Sequence, residues 1–172
     1  MFTGAHLHLV LNHWPIIVPM LGLLLLAFAW LRHSEPTGRT GLTFLVGGAL
    51  AALPVYLTGE DAEEAVERAP GVTEALIERH EDAGLIAAVA LGVLGVFALW
   101  ALWRYRRPGA LPRWVLTAAL GGALVGSGLM AWVGLLGGQI RHTEVRTNPP
   151  AAFGTGTAAA GAPGASRGVD RD

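Results

Sequence analysis

Four long apolar runs alternate with short polar segments along the chain. The runs cover residues 9–31, 40–58, 83–103 and 114–138 and contain no Asp, Glu, Lys or Arg. The third run has 21 residues, against the roughly 20 that a helix needs to cross the hydrocarbon core of a bilayer. The pattern therefore predicts an all-α, polytopic membrane protein, a bundle of four transmembrane helices.

The segment between the second and third runs, residues 59–82, is strongly acidic. It holds nine acidic residues against two arginines, a net charge of −7. Apolar side chains recur on one side of residues 60–69, which predicts a short amphipathic helix outside the bilayer. Thr73 is placed to cap a further helix, which we expect to continue into the third run and to end near Arg107.

The start of the first helix has two interpretations. Thr3 is a suitable N-cap, so the helix begins near Ala5 in one of them, and Pro15 and Pro19 then kink it. In the other, Pro15 is the first helical residue and residues 5–14 are an ordered lead-in. No arginine precedes this run and one follows it, so we expect a retained span rather than a cleavable signal.

Arginine is concentrated in two predicted turns, residues 32–39 and 104–113, which hold six of the twelve arginines. Positive charge beside short loops marks the cytoplasmic side. We therefore expect a multi-pass protein of the bacterial inner membrane, with both termini and the acidic segment outside the cytoplasm. The transmembrane domain covers residues 1–146. Residues 147–172 are rich in Pro, Gly, Ala and Thr, which predicts a disordered tail.

Composition and missing motifs exclude several functions. The chain has no cysteine, so it has no disulfide and no thiolate metal site. It has no phosphate-binding glycine loop, HExxH motif or Ser/His/Asp set, and we do not expect an enzyme on its own. Outside the two turns there is no basic surface for nucleic acid. A transporter ranks last, because the spans offer few polar side chains: Thr43, Thr117 and Ser127.

Histidine is concentrated at the predicted outer surface, where five of the six histidines fall; His33 lies on the other side. If residues 5–13 are helical, His6 and His13 are two turns apart and face the same way. We interpret His8 and His33 as ordinary solvated surface histidines. For His6 a solvated role and a functional role are equally favoured. His13 is a stronger candidate, because an ionisable group near a bundle interior is costly to place without purpose.

His80 and His142 extend from faces that carry small residues. His80 lies one turn before Gly84, and His142 one turn after Gly138, so a neighbouring helix or a flat cofactor has room to approach. We predict a cofactor or metal site built from His13, His80 and His142, with His6 as a further candidate. Polar groups that would fix an imidazole tautomer are Asn12, Glu60, Glu81, Asp82 and Glu144.

The ligand type leaves the cofactor open. Two imidazoles from facing helices suit haem b, and three or four suit a non-haem transition metal ion, since imidazole binds Zn, Cu, Fe and Ni alike. Haem b or a redox-active metal ion would suit electron transfer, with a redox or membrane-complex partner at the outer face. The alternative is a non-catalytic anchor or partner-binding subunit without a cofactor. Glycine pairs four apart in the last span leave a homo-oligomer open.

A resemblance supports the first interpretation. The motif His13-Trp14-Pro15-Ile16 is similar to the His-Phe-Pro-Ile opening of an uncharacterised family of bacterial four-helix membrane proteins. That family also shows a Thr-Gly or Gly-Leu at the end of the second helix, a His starting the third, and a Gly-Gly-x-aliphatic element with a nearby His closing the fourth. Three parts of this chain resemble those motifs in the same order: Thr58-Gly59, His80 and residues 138–142. The resemblance implies a cytochrome b-like membrane domain and suggests a haem b or metal site.

Overall fold

The structure is a computed structural model, and it describes residues 3–142 and residue 146. Within that part the chain is helical and contains no strand. The helices are α1 (Gly4–Leu11), α2 (Trp14–Arg32), α3 (Glu35–Leu57), α4 (Gly59–Val66), α5 (Glu74–Arg104) and α6 (Arg113–Arg141). The run from α1 into α2, and α3, α5 and α6, are long and apolar enough to cross a membrane. This confirms the predicted all-α class with four such helices. The predicted tail lies outside the described residues.

The four long helices form a closed ring of neighbours in chain order. Helix α2 packs on α3, α3 on α5, α5 on α6, and α6 returns to α2, as short links between antiparallel helices favour. At one end α1 packs against α4 and α3. We call this end, with α1, α4 and the start of α5, the acidic end. The opposite end, with the α2–α3 link and the α5–α6 loop, is the arginine end.

Small residues let the long helices approach closely. A Cβ at Gly48 of α3 would overlap the ring of Pro19 in α2, and one at Gly95 of α5 would overlap the Ala49 side chain of α3. The glycine-rich second run thus accommodates the proline of the first. Such close packing is the main source of association between helices that are surrounded by lipid. Between them lie fully buried side chains: Leu26, Leu42, Leu45, Leu91 and Val115.

The first apolar run is divided into two helices. Thr3 caps α1, as predicted, with its Oγ1 accepting a hydrogen bond from the backbone N–H of His6 at 3.4 Å. The chain turns at Asn12 and His13, and α2 then begins with Pro15 in its first turn. Pro15 has no N–H to donate to the carbonyl four residues earlier, which explains the break. Each sequence interpretation was therefore right in part.

Two other boundaries differ from the prediction. The turn expected over residues 32–39 is only His33 and Ser34, because α3 already begins at Glu35 with Pro36 in its first turn, a position that proline favours. His33 adopts the left-handed conformation, with φ of 56°, at the C-cap of α2. The expected helix from Thr73 ends at Arg104, not near Arg107.

Arginine side chains bind helix carbonyls at both ends of the bundle. Arg39 of α3 donates to the carbonyls of Tyr105 and Arg107, where α5 ends, while Glu35 pairs with it at 2.7 Å. Arg146 donates to the carbonyl of Gln139 at 2.7 Å. It also donates to Ile140 and to the carbonyl of Gly71 in the acidic segment. Carbonyls at a helix C-terminus lack partners within the helix, so these contacts stabilise the ends.

Candidate functional site

His80 lies between α5 and α6 at the acidic end. Its ring is partly buried, and Nδ1 is 3.2 Å from the carbonyl oxygen of Val133 in α6. The ring fits there because Gly137 has no side chain. A Cβ at position 137 would lie 3.0 Å from Cε1 and 3.4 Å from Nδ1 of His80, closer than ordinary contacts allow. Gly137 therefore sets how near the imidazole comes to α6.

His8 lies on the inward face of α1. That face consists of half-buried residues at helical spacing, Gly4, His8 and Leu11, whereas Leu9 and Val10 point outward. Nδ1 of His8 is 3.0 Å from the carbonyl oxygen of Val55. Val55 is in the last turn of α3, where carbonyls are without helical partners. The hydrogen bond ties α1 to α3.

Burial is the main influence on the protonation of the His80 ring. Burial lowers the pKa of His80 below its ordinary 6.5, and the nearby His8 lowers the pKa further; the hydrogen bond to Val133 acts in the opposite direction. His80 precedes the uncharged run 83–103, so it lies beyond the apolar part of α5. The lowered pKa favours the uncharged His80 ring, the form in which imidazole binds a metal.

The two hydrogen bonds fix the tautomers of both rings. A backbone carbonyl only accepts, so Nδ1 carries the hydrogen in His8 and in His80. In each neutral ring the lone pair is then on Nε2. A histidine that binds a metal through one nitrogen almost always donates the other N–H to a carbonyl or carboxylate in this way. Both Nε2 atoms thus have the electronic arrangement of a ligand.

Of the four histidines predicted as ligands, only His80 is in this pair. His13 is exposed and occupies the N-cap position of α2, where its carbonyl accepts from Ile16 and Ile17. His142 is exposed at the C-cap of α6. His6 is exposed, with Nδ1 2.7 Å from the Thr3 hydroxyl. Because α1 ends at Leu11 and a turn follows at Asn12 and His13, the helix over residues 5–13 on which the two-turn relation of His6 and His13 depended is interrupted.

The predicted polar partners are dispersed. Asn12 follows His8 by one turn, and its Oδ1 is buried with no hydrogen-bond partner among the described residues. Glu81 hydrogen-bonds with Glu63 of α4, which raises the pKa of Glu63 above its ordinary 4.5. Glu60 is exposed. Glu144 lies outside the described residues.

Asp82 lies in a different place, on the outer side of α5. Together with Arg79 it lines an open groove of about 370 Å³ whose other wall is Trp132 and Leu136 of α6. The small residues expected to receive a partner also differ from the prediction. A Cβ on Gly84 or Gly138 would meet open space; Gly137 is the glycine in contact with an imidazole.

Within residues 3–142 and 146, no three or more His or acidic side chains are arranged to hold a metal ion. In that part of the chain the predicted set of His13, His80 and His142 therefore does not form a three-ligand site. What the structure shows is that His8 and His80 each place Nδ1 against a backbone carbonyl of another helix. One or two protein ligands are enough to hold a haem iron, whereas a metal site closed by protein groups needs more.

One sequence signal could have identified His8. On α1 the small residues Gly4 and Ala5 mark the packed face, and His8 and Leu11 continue it at spacings of three and four. Large apolar residues mark the opposite, exposed face. The contacts with Val55, Val133 and Gly137 have no such signal, because they depend on how separate helices are placed.

Comparisons with family models, with curated proteins and with solved structures returned no match.

Proposed function

We propose that the chain is an integral membrane protein that binds haem b through Nε2 of His8 and Nε2 of His80 and serves in electron transfer. The observation that carries the proposal is the hydrogen bond that each ring makes through Nδ1 to a backbone carbonyl. His8 of α1 donates its Nδ1–H to a backbone carbonyl of α3. His80 of α5 donates its Nδ1–H to a backbone carbonyl of α6. Haem b iron would supply one-electron chemistry there; the protein supplies the two nitrogens and their orientation.

The surroundings of the pair support a bound group. Asn12 lies one helical turn from His8, and its buried Oδ1 lacks a partner among the described residues. Buried polar atoms nearly always have a hydrogen-bond partner. A group bound between α1 and α5, or water held with it, would supply one. Two imidazoles are enough for haem, so the lack of a three-ligand group in the described residues is no obstacle.

Membrane insertion is supported by the side surfaces of the helices. Large apolar side chains project outward along all four, among them Leu24, Leu53, Val93, Val96 and Leu124, each at least 58% exposed. A soluble monomer rarely exposes so continuous an apolar surface. The arginine end would face the cytoplasm of a bacterial inner membrane by the positive-inside rule, with the histidine pair on the other side.

The test is the absorption spectrum of protein purified from membranes, oxidised and dithionite-reduced. We expect a Soret band and a reduced-minus-oxidised difference spectrum. His8→Ala and His80→Ala should each remove most of the bound haem. The matched control is His13→Ala, because His13 is exposed at the same end, and it should retain the spectrum.

Two results would overturn the haem proposal. One is wild-type protein that has no Soret band after expression with added haem and after reconstitution. The other is haem loss in His13→Ala with retention in His8→Ala. Elemental analysis of the same samples distinguishes a non-haem metal that depends on His8 and His80.

A second candidate, a partner-binding membrane subunit, is favoured by the charge of the acidic end. Among the described residues, the acidic side chains of the segment 59–82 form only one ion pair, between Glu67 and the adjacent Arg68. Many others are exposed, so they offer a negative surface to a basic soluble protein. For such a subunit, replacing both His8 and His80 should leave assembly with its partner unchanged.

A further inference from the structure

The arginine end contains an open groove that the histidine site does not use. It is formed where α5 ends and the α5–α6 loop begins, and its volume is about 420 Å³. The lining residues are Trp103, Arg104, Tyr105, Arg106, Arg107 and Ala110. Three of these six carry positive charge, and from residue 103 to residue 114 the chain has no acidic residue.

The positive charge in the groove is uncompensated. Arg104, Arg106 and Arg107 are exposed. Among the described residues, ion pairs join Arg39 to Glu35 and Arg68 to Glu67, and none involves the three groove arginines. Three guanidinium groups within four residues repel one another, and a bound anion would relieve that repulsion.

The groove is held in shape by contacts behind it. Arg39 donates to the carbonyls of Tyr105 and Arg107, so the backbone that bears the groove arginines is fixed to α3. The Arg104 guanidinium lies 5.2 Å from the centre of the Tyr105 ring. That ring in turn meets Trp100 and Trp114 edge-on, at 5.9 and 6.5 Å. At least one arginine is thus oriented before any ligand arrives.

The arginine side chains of the groove and its place at the end of the bundle both favour a phosphate group as its ligand. A guanidinium group can donate two parallel hydrogen bonds to two oxygens of one phosphate. Basic pockets at the cytoplasmic ends of membrane helices bind anionic lipid headgroups. Trp103 is 66% exposed beside the groove, the location of aromatic residues at the level of lipid headgroups. We propose that this groove binds the phosphate of an anionic phospholipid, with Arg104, Arg106 and Arg107 as its contacts.

The proposal rests on membrane insertion but not on the histidine pair, so the two are tested separately. The protein is purified in mild detergent, mixed with phosphatidylglycerol or with zwitterionic phosphatidylcholine, and examined by native mass spectrometry. We expect wild type to retain phosphatidylglycerol over phosphatidylcholine. The variant R104Q/R106Q/R107Q should lose about tenfold in retention.

Matched variants separate a site from general charge. The control R68Q/R79Q/R141Q removes three exposed arginines at the other end and should retain wild-type binding. The variant R104K/R106K/R107K keeps the charge but not the planar fork, so we expect an intermediate loss. Equal losses in both glutamine variants, or none in R104Q/R106Q/R107Q with its helix content intact, would overturn the proposal. If inorganic phosphate displaces the lipid at equal concentration, the ligand is free phosphate and the lipid assignment is wrong.

Discussion

At the scale of single residues, Gly137 determines where the His80 ring lies. In Gly137→Ala the new Cβ would be 3.0 Å from Cε1 of His80, so the ring must shift by a few tenths of an ångström. Overpacking costs about 1–3 kcal/mol and alanine returns up to about 1 kcal/mol as the better helix former, so we expect a net loss in the free energy of unfolding and weaker haem binding. Thermal unfolding in detergent and the absorption spectrum measure the two effects.

Gly138→Ala is the control for that change. A Cβ there meets open space, and alanine is the better helix former, so stability should stay equal or rise. If Gly137→Ala and Gly138→Ala behave alike, His80 does not pack against position 137.

The pH dependence of stability is a second test of His80. Burial lowers its pKa below 6.5, the value expected in the unfolded chain. The stabilising contribution is therefore complete above pH 6.5 and is lost as the pH falls below it toward the folded-state pKa. We expect the melting temperature of wild type to fall between pH 7 and pH 5, and His80→Gln to flatten this part of the profile.

His13→Gln serves as the comparison, because that side chain is exposed and its replacement should leave the profile unchanged. The raised pKa of Glu63, caused by its hydrogen bond with Glu81, acts in the opposite direction at lower pH. If the melting temperature of His80→Gln falls as steeply between pH 7 and pH 5 as that of wild type, groups other than His80 cause the pH dependence.

Sequence reasoning singled out His80, and the structure places its ring against Val133 and Gly137 of α6 rather than beside Gly84. His80 was identifiable because it stands at the junction between acidic residues and an uncharged run. His13 was preferred to His8 because an ionisable group near a bundle interior is costly to place there, yet the structure leaves His13 exposed and His8 half-buried. The position of a residue along a helix predicts how far along the bundle it lies. Which helix its side chain contacts depends on how the helices pack.

At the scale of helices, the length of each run without charged residues predicted the four long helices reliably. The four apolar runs were identified correctly because a run of twenty apolar residues has few other structures open to it. The ends were less predictable. Residues 35–39 look like a turn from their polarity, yet they are the first turn of α3, where Glu35 and Pro36 are favoured.

The end of α5 gives a prediction at this scale. Arg39→Ala removes the hydrogen bonds to the carbonyls of Tyr105 and Arg107 and leaves Glu35 unpaired. Hydrogen bonds to a charged group contribute about 1.5–3 kcal/mol, so we expect a loss of that order in unfolding free energy. Hydrogen exchange at the end of α5 should also accelerate.

Arg32→Ala is the control, since Arg32 is exposed at the same end of the bundle. It should have little effect on either measurement. A change in α5 exchange as large as that in Arg39→Ala would mean that general charge, rather than the specific contact, stabilises the helix end.

At the scale of the whole molecule, the two ends have opposite charge, and this predicts the orientation in the membrane. The chain has no cysteine, so single cysteines can be introduced without background. We expect Glu64→Cys to react with a membrane-impermeant maleimide on intact cells, and Arg106→Cys to react only after lysis. The reverse labelling would contradict the proposed topology.

The convergence of α1 and α5 on one site is the claim on which the proposed function depends. The most direct measurement is chemical cross-linking of introduced cysteine pairs in native membranes with a short bifunctional maleimide. We predict efficient cross-linking in His8→Cys/His80→Cys and little in His13→Cys/His80→Cys. Efficient cross-linking of the second pair and none of the first would contradict the account.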